Sequence, residues 1–122
     1  PPDDGSYHLN NRGIKTMDKA QLTFTLHSDS GHGWLGVPIV FLKKINMTAA
    51  NFTGFSYLDD EKIYLEEDCD CYIFQKAIGQ EAWNNIVFID DYVEGEHPIR
   101  RLDFNHLSKT NIAECFRLAD TA

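Results

Sequence analysis

The sequence predicts an α+β fold: one small domain with a mainly antiparallel sheet of hairpins and three short helices. Three observations carry that prediction. Short segments alternate in polarity with a period of two, as "QLTFTLH" does over residues 21–27. Clusters of turn-forming residues separate several such segments, so neighbouring strands are expected to pair as hairpins. Three other stretches place apolar residues at helical spacing beside a cap or a basic last turn.

Residues 1–19 scatter Pro, Gly, Asn and Asp among few apolar side chains. They are expected to form a flexible tail before a single domain over 20–122, with Met17 a candidate natural start after upstream sequence. The first strand follows, with Leu22, Phe24 and Leu26 on one face. "SDSGHG" breaks it, and "WLGVP" resumes an extended path because Val37 precedes a proline. Pro38 suits a first helical turn, and Lys43 and Lys44 stand where the helix dipole favours cations. Ile39, Leu42 and Ile45 share a face that Val40 and Phe41 widen, so this first helix is expected to be well buried.

Residues 52–67 read as a hairpin with Asp60-Glu61 at its tip. Asp59 then faces Lys62, Leu58 faces Ile63, and Tyr57 faces Tyr64. Ser56, Leu58, Ile63 and Leu65 fall on one face, and Phe55, Tyr57, Tyr64 and Glu66 on the other. "DCDCYIFQKAIGQ" predicts the second helix, with Asp68 as N-cap, Asp70 in the first turn and Gly79 at the end. Residues 85–104 predict another hairpin around Glu94-Gly95-Glu96, its second strand an edge because of Pro98. Ile112, Cys115, Phe116 and Ala119 predict a third helix, capped by Ser108 or Thr110.

Charge narrows the function. Nineteen acidic residues against 11 basic ones leave a formal net charge of -8. Phosphate backbones and anionic membrane surfaces are like-charged with such a chain, which argues against nucleic acid and favours a basic protein partner. No run approaches the ~20 apolar residues of a membrane span, and no signal-peptide pattern opens the chain. Three cysteines (Cys69, Cys71 and Cys115) have no framework spacing, so a reducing, cytoplasmic setting is expected. The sequons at Asn46 and Asn51 have no consequence there.

Two stretches concentrate chemistry. "YLEEDCDCYIF", residues 64–74, holds four carboxylates and two thiols. It lacks the D-x-D-x-D-G calcium loop, and thiols two residues apart diverge on a helix, so one zinc does not take both. Its acids suit the positive end of a helix, each worth ~0.3–1 kcal/mol. Glu67, Asp68 and Asp70 also favour a protonated thiol, against Cys69 or Cys71 as nucleophile. In "HSDSGHGW", residues 27–34, His27, Asp29 and His32 could join Glu66, His106 or Asp70 around a metal. Ser28 or Ser30 with a histidine could imitate a hydrolase pair, but no diagnostic motif is present, and a polar turn is the expectation. Trp34 beside it serves as a core anchor, the preferred reading, or as a binding hot spot. Arg100 and Arg101 are expected to pair with Asp90, Asp91 or Asp103.

His32-Gly-Trp-Leu-Gly-Val-Pro38, a short apolar helix, "FSY" and Tyr64-Leu-Glu-Glu-Asp-Cys-Asp70 together resemble small proteins encoded by phages, plasmids and bacteria. The resemblance covers residues 22–80 and implies a phage or bacterial cytoplasmic setting, with no activity or site residues to carry over. The glycine, Val-Pro, short helix and paired-strand hairpin are also similar in outline to AbrB-type antitoxins and regulators. That likeness implies an intertwined DNA-binding dimer, whereas the corresponding region here is acidic.

The leading expectation is therefore a non-enzymatic acidic binding protein, inhibiting a host or defence protein through its basic surface. Its contact residues would be Asp59, Asp60, Glu61, Glu66, Glu67, Asp68, Asp90 and Asp91, with Trp34; no cofactor or metal is required. One alternative is a small metal-dependent or thiol enzyme using His27, His32 and Cys69, with Asp29 and Asp70 as further ligands. Another is an antitoxin-like homodimeric regulator.

Overall fold

A computed structural model describes residues 7–9, 15–17 and 21–110. Strands β1 (Tyr7–Leu9) and β2 (Lys15–Met17) pair antiparallel within the segment expected to be a tail. The rest is a six-stranded sheet with helices packed on one face. In chain order it contains β3 (Thr23–Ser28), β4 (Gly33–Pro38), α1 (Ile39–Lys44), β5 (Tyr57–Leu58) and β6 (Lys62–Glu66). Helices α2 (Asp70–Ile78) and α3 (Gln80–Asn84), then β7 (Val87–Tyr92) and β8 (Asp103–Phe104), complete it. The spatial order is β7-β3-β4-β6-β5-β8. All neighbours run antiparallel except β3 and β7, which are parallel. The fold is thus α+β with a mainly antiparallel sheet, as predicted.

Alternation decides which face each strand buries. Phe24, Leu35, Val37, Ile63 and Leu65 enter the core, where they meet Leu42 of α1 and Ile73, Phe74 and Ile78 of α2. Phe74 stands edge-on to Phe24 and Phe41, at ring separations of 5.7 and 6.1 Å. β4 lies between β3 and β6, so its residues are covered on both sides. Its proline falls at the last position of the strand, where α1 begins. The predicted 57–66 hairpin has the expected register, Tyr57 opposite Tyr64 and Leu58 opposite Ile63.

Three local expectations are corrected. Asp68 is not the N-cap of α2; Cys69 occupies that position, without a side-chain cap bond. The Glu66 carboxylate replaces the cap, accepting the N–H groups of Asp68 and Asp70, each at 2.9 Å, and that of Cys69. A carboxylate carried in from the strand end can reach donors that Asp68 cannot. Gly79, at φ 91°, ends α2, but a further helix, α3, starts directly after it. The 85–104 hairpin does not form either. β7 joins β3 in parallel, which requires a crossover connection, and α2 with α3 supplies it. "HPIRR" makes a 3-10 turn over Pro98–Arg101, and β8 pairs with β5 at the far edge. The helix predicted around Ile112–Ala119 lies outside the described residues. Among the described residues, no helix is long and apolar enough to cross a membrane.

Candidate functional site

The face of the sheet turned away from the helices carries the polar chemistry. Strand register lines Asp91, His27, Trp34 and Glu66 across four strands in one row. The next row on the same face is Ile89, Thr25, Gly36, Tyr64, Tyr57 and Phe104. The segment from residue 93 to 102, here called the strap, leaves β7 at one edge and reaches β8 at the other. It therefore crosses this face.

Asp29 pins the strap to the β3–β4 turn. Its carboxylate accepts Arg100 Nε at 2.7 Å and Nη2 at 3.0 Å, the backbone N–H of His97 at 2.9 Å, and those of Gly31 and His32. The Arg100 guanidinium and these donors hold the Asp29 carboxyl far below the usual carboxylate range. The same guanidinium lies 5.1 Å above the Trp34 ring. Trp34 is only 3% exposed. It is an anchor beneath the strap rather than a surface contact.

Beside it, Asp91 Oδ2 lies 2.7 Å from His27 Nδ1 and 2.8 Å from His97 Nε2. The two imidazoles hold the Asp91 carboxyl below its ordinary range. Three potential ligand atoms within 4.8 Å of one another raise the question of a metal. The outer nitrogens answer it. His97 Nδ1 accepts the Ile99 N–H at 3.1 Å, so the neutral ring carries its proton on Nε2, facing Asp91. His27 Nε2 is buried with no hydrogen-bond partner, and a Cβ at Gly36 would lie 3.0 Å from it. A metal-bound imidazole normally donates its second N–H to an oxygen, and neither ring has such an acceptor. The trio fits a carboxylate bridging two imidazole N–H donors. Calorimetric titration with Zn²⁺ is accordingly expected to show no saturable binding; one-to-one uptake lost in His97→Ala would contradict this.

A cleft of about 370 Å³ opens where β6 passes into α2, lined by Phe55, Tyr57, Glu66, Glu67, Asp68 and Arg100, with Trp34 and His32 behind. Tyr57 stacks on Phe104 at 4.9 Å and 19°. Phe55 and Phe104 are 51% and 60% exposed, large values for aromatic side chains. Glu67 and Asp68 are exposed at the rim.

The sequence-predicted acids do not gather on one surface. Asp59 accepts the N–H groups of Glu61 and Lys62, each at 2.8 Å, and the Tyr64 hydroxyl at 2.7 Å. Burial and that carboxylate push the Tyr64 hydroxyl up. Asp60 and Glu61 are exposed at the hairpin tip, the opposite end of β6 from Glu67 and Asp68, roughly 20 Å away by strand rise. Asp90 stands on β7, and Glu66 and Asp91 are engaged as described. The ligand set His27, Asp29, His32 and Asp70 is not brought together either. Asp29 holds Arg100, His32 sits at the turn 3.6 Å from Glu67, and Asp70 is buried on the helix side with Thr53 and Ser56. Cys69 is buried, and burial pushes the Cys71 thiol up to about 12, so neither thiol is poised for attack. From sequence His97 reads only as part of the basic stretch over residues 97–101 and not as a site residue; its one local signal is its place before Pro98 at the start of a turn.

No family model, no curated protein and no solved structure matches this chain.

Proposed function

We propose that this is a non-enzymatic acidic binding protein that engages a basic protein partner through the cleft at the β6–α2 junction. The observation that carries the reading is the juxtaposition in that cleft of exposed Phe55 and half-buried Tyr57 with exposed Glu67 and Asp68. Aromatic surface supplies desolvated contact area and faces for guanidinium or ammonium groups, and the rim acids steer a basic partner. Asp60, Glu61 and Asp90 lie outside this cleft and contribute to the long-range field. The resemblance to phage, plasmid and bacterial proteins favours a partner in a bacterial cytoplasm. An inhibitor occupying a basic surface there is the role these features suit.

Affinity capture from bacterial lysate, followed by a titration with the captured protein, tests the reading. Glu67→Lys/Asp68→Lys is expected to weaken binding at least tenfold, about 1.4 kcal/mol, and Phe55→Ala similarly. Raising the salt from about 50 to about 500 mM should weaken wild-type binding and leave the charge-reversed variant less sensitive. A partner indifferent to both variants and to salt would refute it.

A further inference from the structure

We propose that the His97 ring, carried on the strap over residues 93–102, is a gate over Trp34 and His27 that swings out when it takes up a second proton. The strap crosses the sheet face with Ile99 as its buried apolar anchor. Two carboxylates fasten it: Asp29 holds Arg100 and the His97 N–H, and Asp91 holds the His97 ring. Both imidazoles meet Asp91 through one nitrogen, and at the other no oxygen stands ready to accept a second N–H.

That asymmetry makes the latch sensitive to protons. A second proton on His97 must enter at Nδ1, where the Ile99 N–H already points. Two donors then face each other, and the ring leaves its place, giving up the turn cap and the Asp91 bond together. A second proton on His27 enters at Nε2, against Gly36 and with no oxygen to receive it. The groups facing His97 are Asp91 from β7, His27 from β3, Trp34 from β4 and its own turn's Ile99 N–H. The Asp91 charge attracts the added proton, but it sits at the opposite nitrogen and does not relieve the clash. Tyr64 faces the His27 ring at 5.5 Å and supplies no acceptor to Nε2. Asp29 stays ionised under mild acid, because its carboxyl lies far below the ordinary range. Arg100 and the His97 backbone N–H therefore stay on Asp29 while the His97 ring swings out. The device stands whether or not the cleft takes a basic partner.

Trp34 reports the motion. The chain has two tryptophans, so Trp83→Phe leaves one emitter. Emission wavelength, rather than intensity, is the readout, because His32 lies 6.2 Å from the indole and quenches it when charged. Histidine side chains generally take up a proton around pH 6.5. Lowering the pH from about 7.5 to about 5.5 is expected to move the emission to the red. Protection of the Ile99 amide should fall at least about tenfold, with the far-UV circular dichroism unchanged. Adding His97→Asn, which keeps an acceptor for the Ile99 N–H but takes up no proton, should flatten both responses. An unmoved wavelength in Trp83→Phe, the same steps in the His97→Asn background, or loss of the far-UV signal in the same step would each overturn the proposal.

Discussion

Replacing Phe74 by alanine is expected to cost about 3–5 kcal/mol, among the largest losses from a single side chain here. Phe74 is fully buried and touches the sheet and the helices at once, edge-on to Phe24 of β3 and Phe41 of α1. Removing the ring loses its transfer free energy and leaves a cavity that neither helix can close, because α2 is tied at its N-terminus by Glu66 and stopped by Gly79. Urea unfolding should show a lower midpoint with an unchanged slope. Phe74→Leu, which refills most of the volume, should recover more than half of the loss. Equal losses in the two variants would mean that shape at this site matters more than the cavity.

Asp70→Ala is expected to cost about 3–5 kcal/mol at pH 4, for a different reason. Asp70 is the first residue of α2, and its carboxyl accepts the Thr53 N–H at 2.9 Å, the Thr53 hydroxyl at 2.8 Å and the Ser56 hydroxyl. These bonds fasten the 49–57 connection to the helix, and alanine leaves three donors without their acceptor. Burial pushes the Asp70 carboxyl up to about 6, against the hydrogen bonds that favour its anion. The native state therefore holds a proton that the unfolded chain has already released, and the sign follows. The stabilisation is complete below the ordinary carboxylate range and is lost as pH rises through about 6. The gap between wild type and Asp70→Ala should narrow by on the order of 2 kcal/mol between pH 4 and pH 7. Chemical denaturation at both pH values measures it, and a gap that widens with pH would show that the hydrogen bonds outweigh burial.

How much was legible depended on how local each decision is. The 57–66 hairpin was read to its register because alternation, a two-residue tip and the facing pairs all lie within ten positions. The α1 and α2 helices were legible from spacing, from the lysines after Leu42 and from Gly79. The second hairpin misled because Val87–Tyr92 and the stretch after Pro98 each look extended, and sequence proximity favours pairing them. Their true partners, β3 and β5, lie more than 40 residues away. Glu66 reads from sequence as a surface acid because strand alternation over 62–66 gives no sign that the chain turns straight after it and brings the N–H groups of Asp68, Cys69 and Asp70 onto its carboxylate.

The candidate site divides in the same way. His27, Asp29, Trp34, Glu67 and Asp68 stand out in the sequence as candidate site residues, whereas His97 stands out only as part of a basic stretch. By itself, the sequence determined the α+β class, the acidic balance and the local elements, since these follow from composition, periodicity and turn chemistry. Tertiary structure alone decided that β7 joins β3, that the strap crosses the sheet, and that His27, Asp91 and His97 meet. It also decided which carboxylates are spent inside the fold and which, like Glu67 and Asp68, still face the outside. The strand pairing, the strap and the histidine trio depend on contacts between residues far apart in the chain, of which local spacing carries no record; the Glu66 and Asp59 bonds span only two to five residues and depend on how the chain turns at each end of β6.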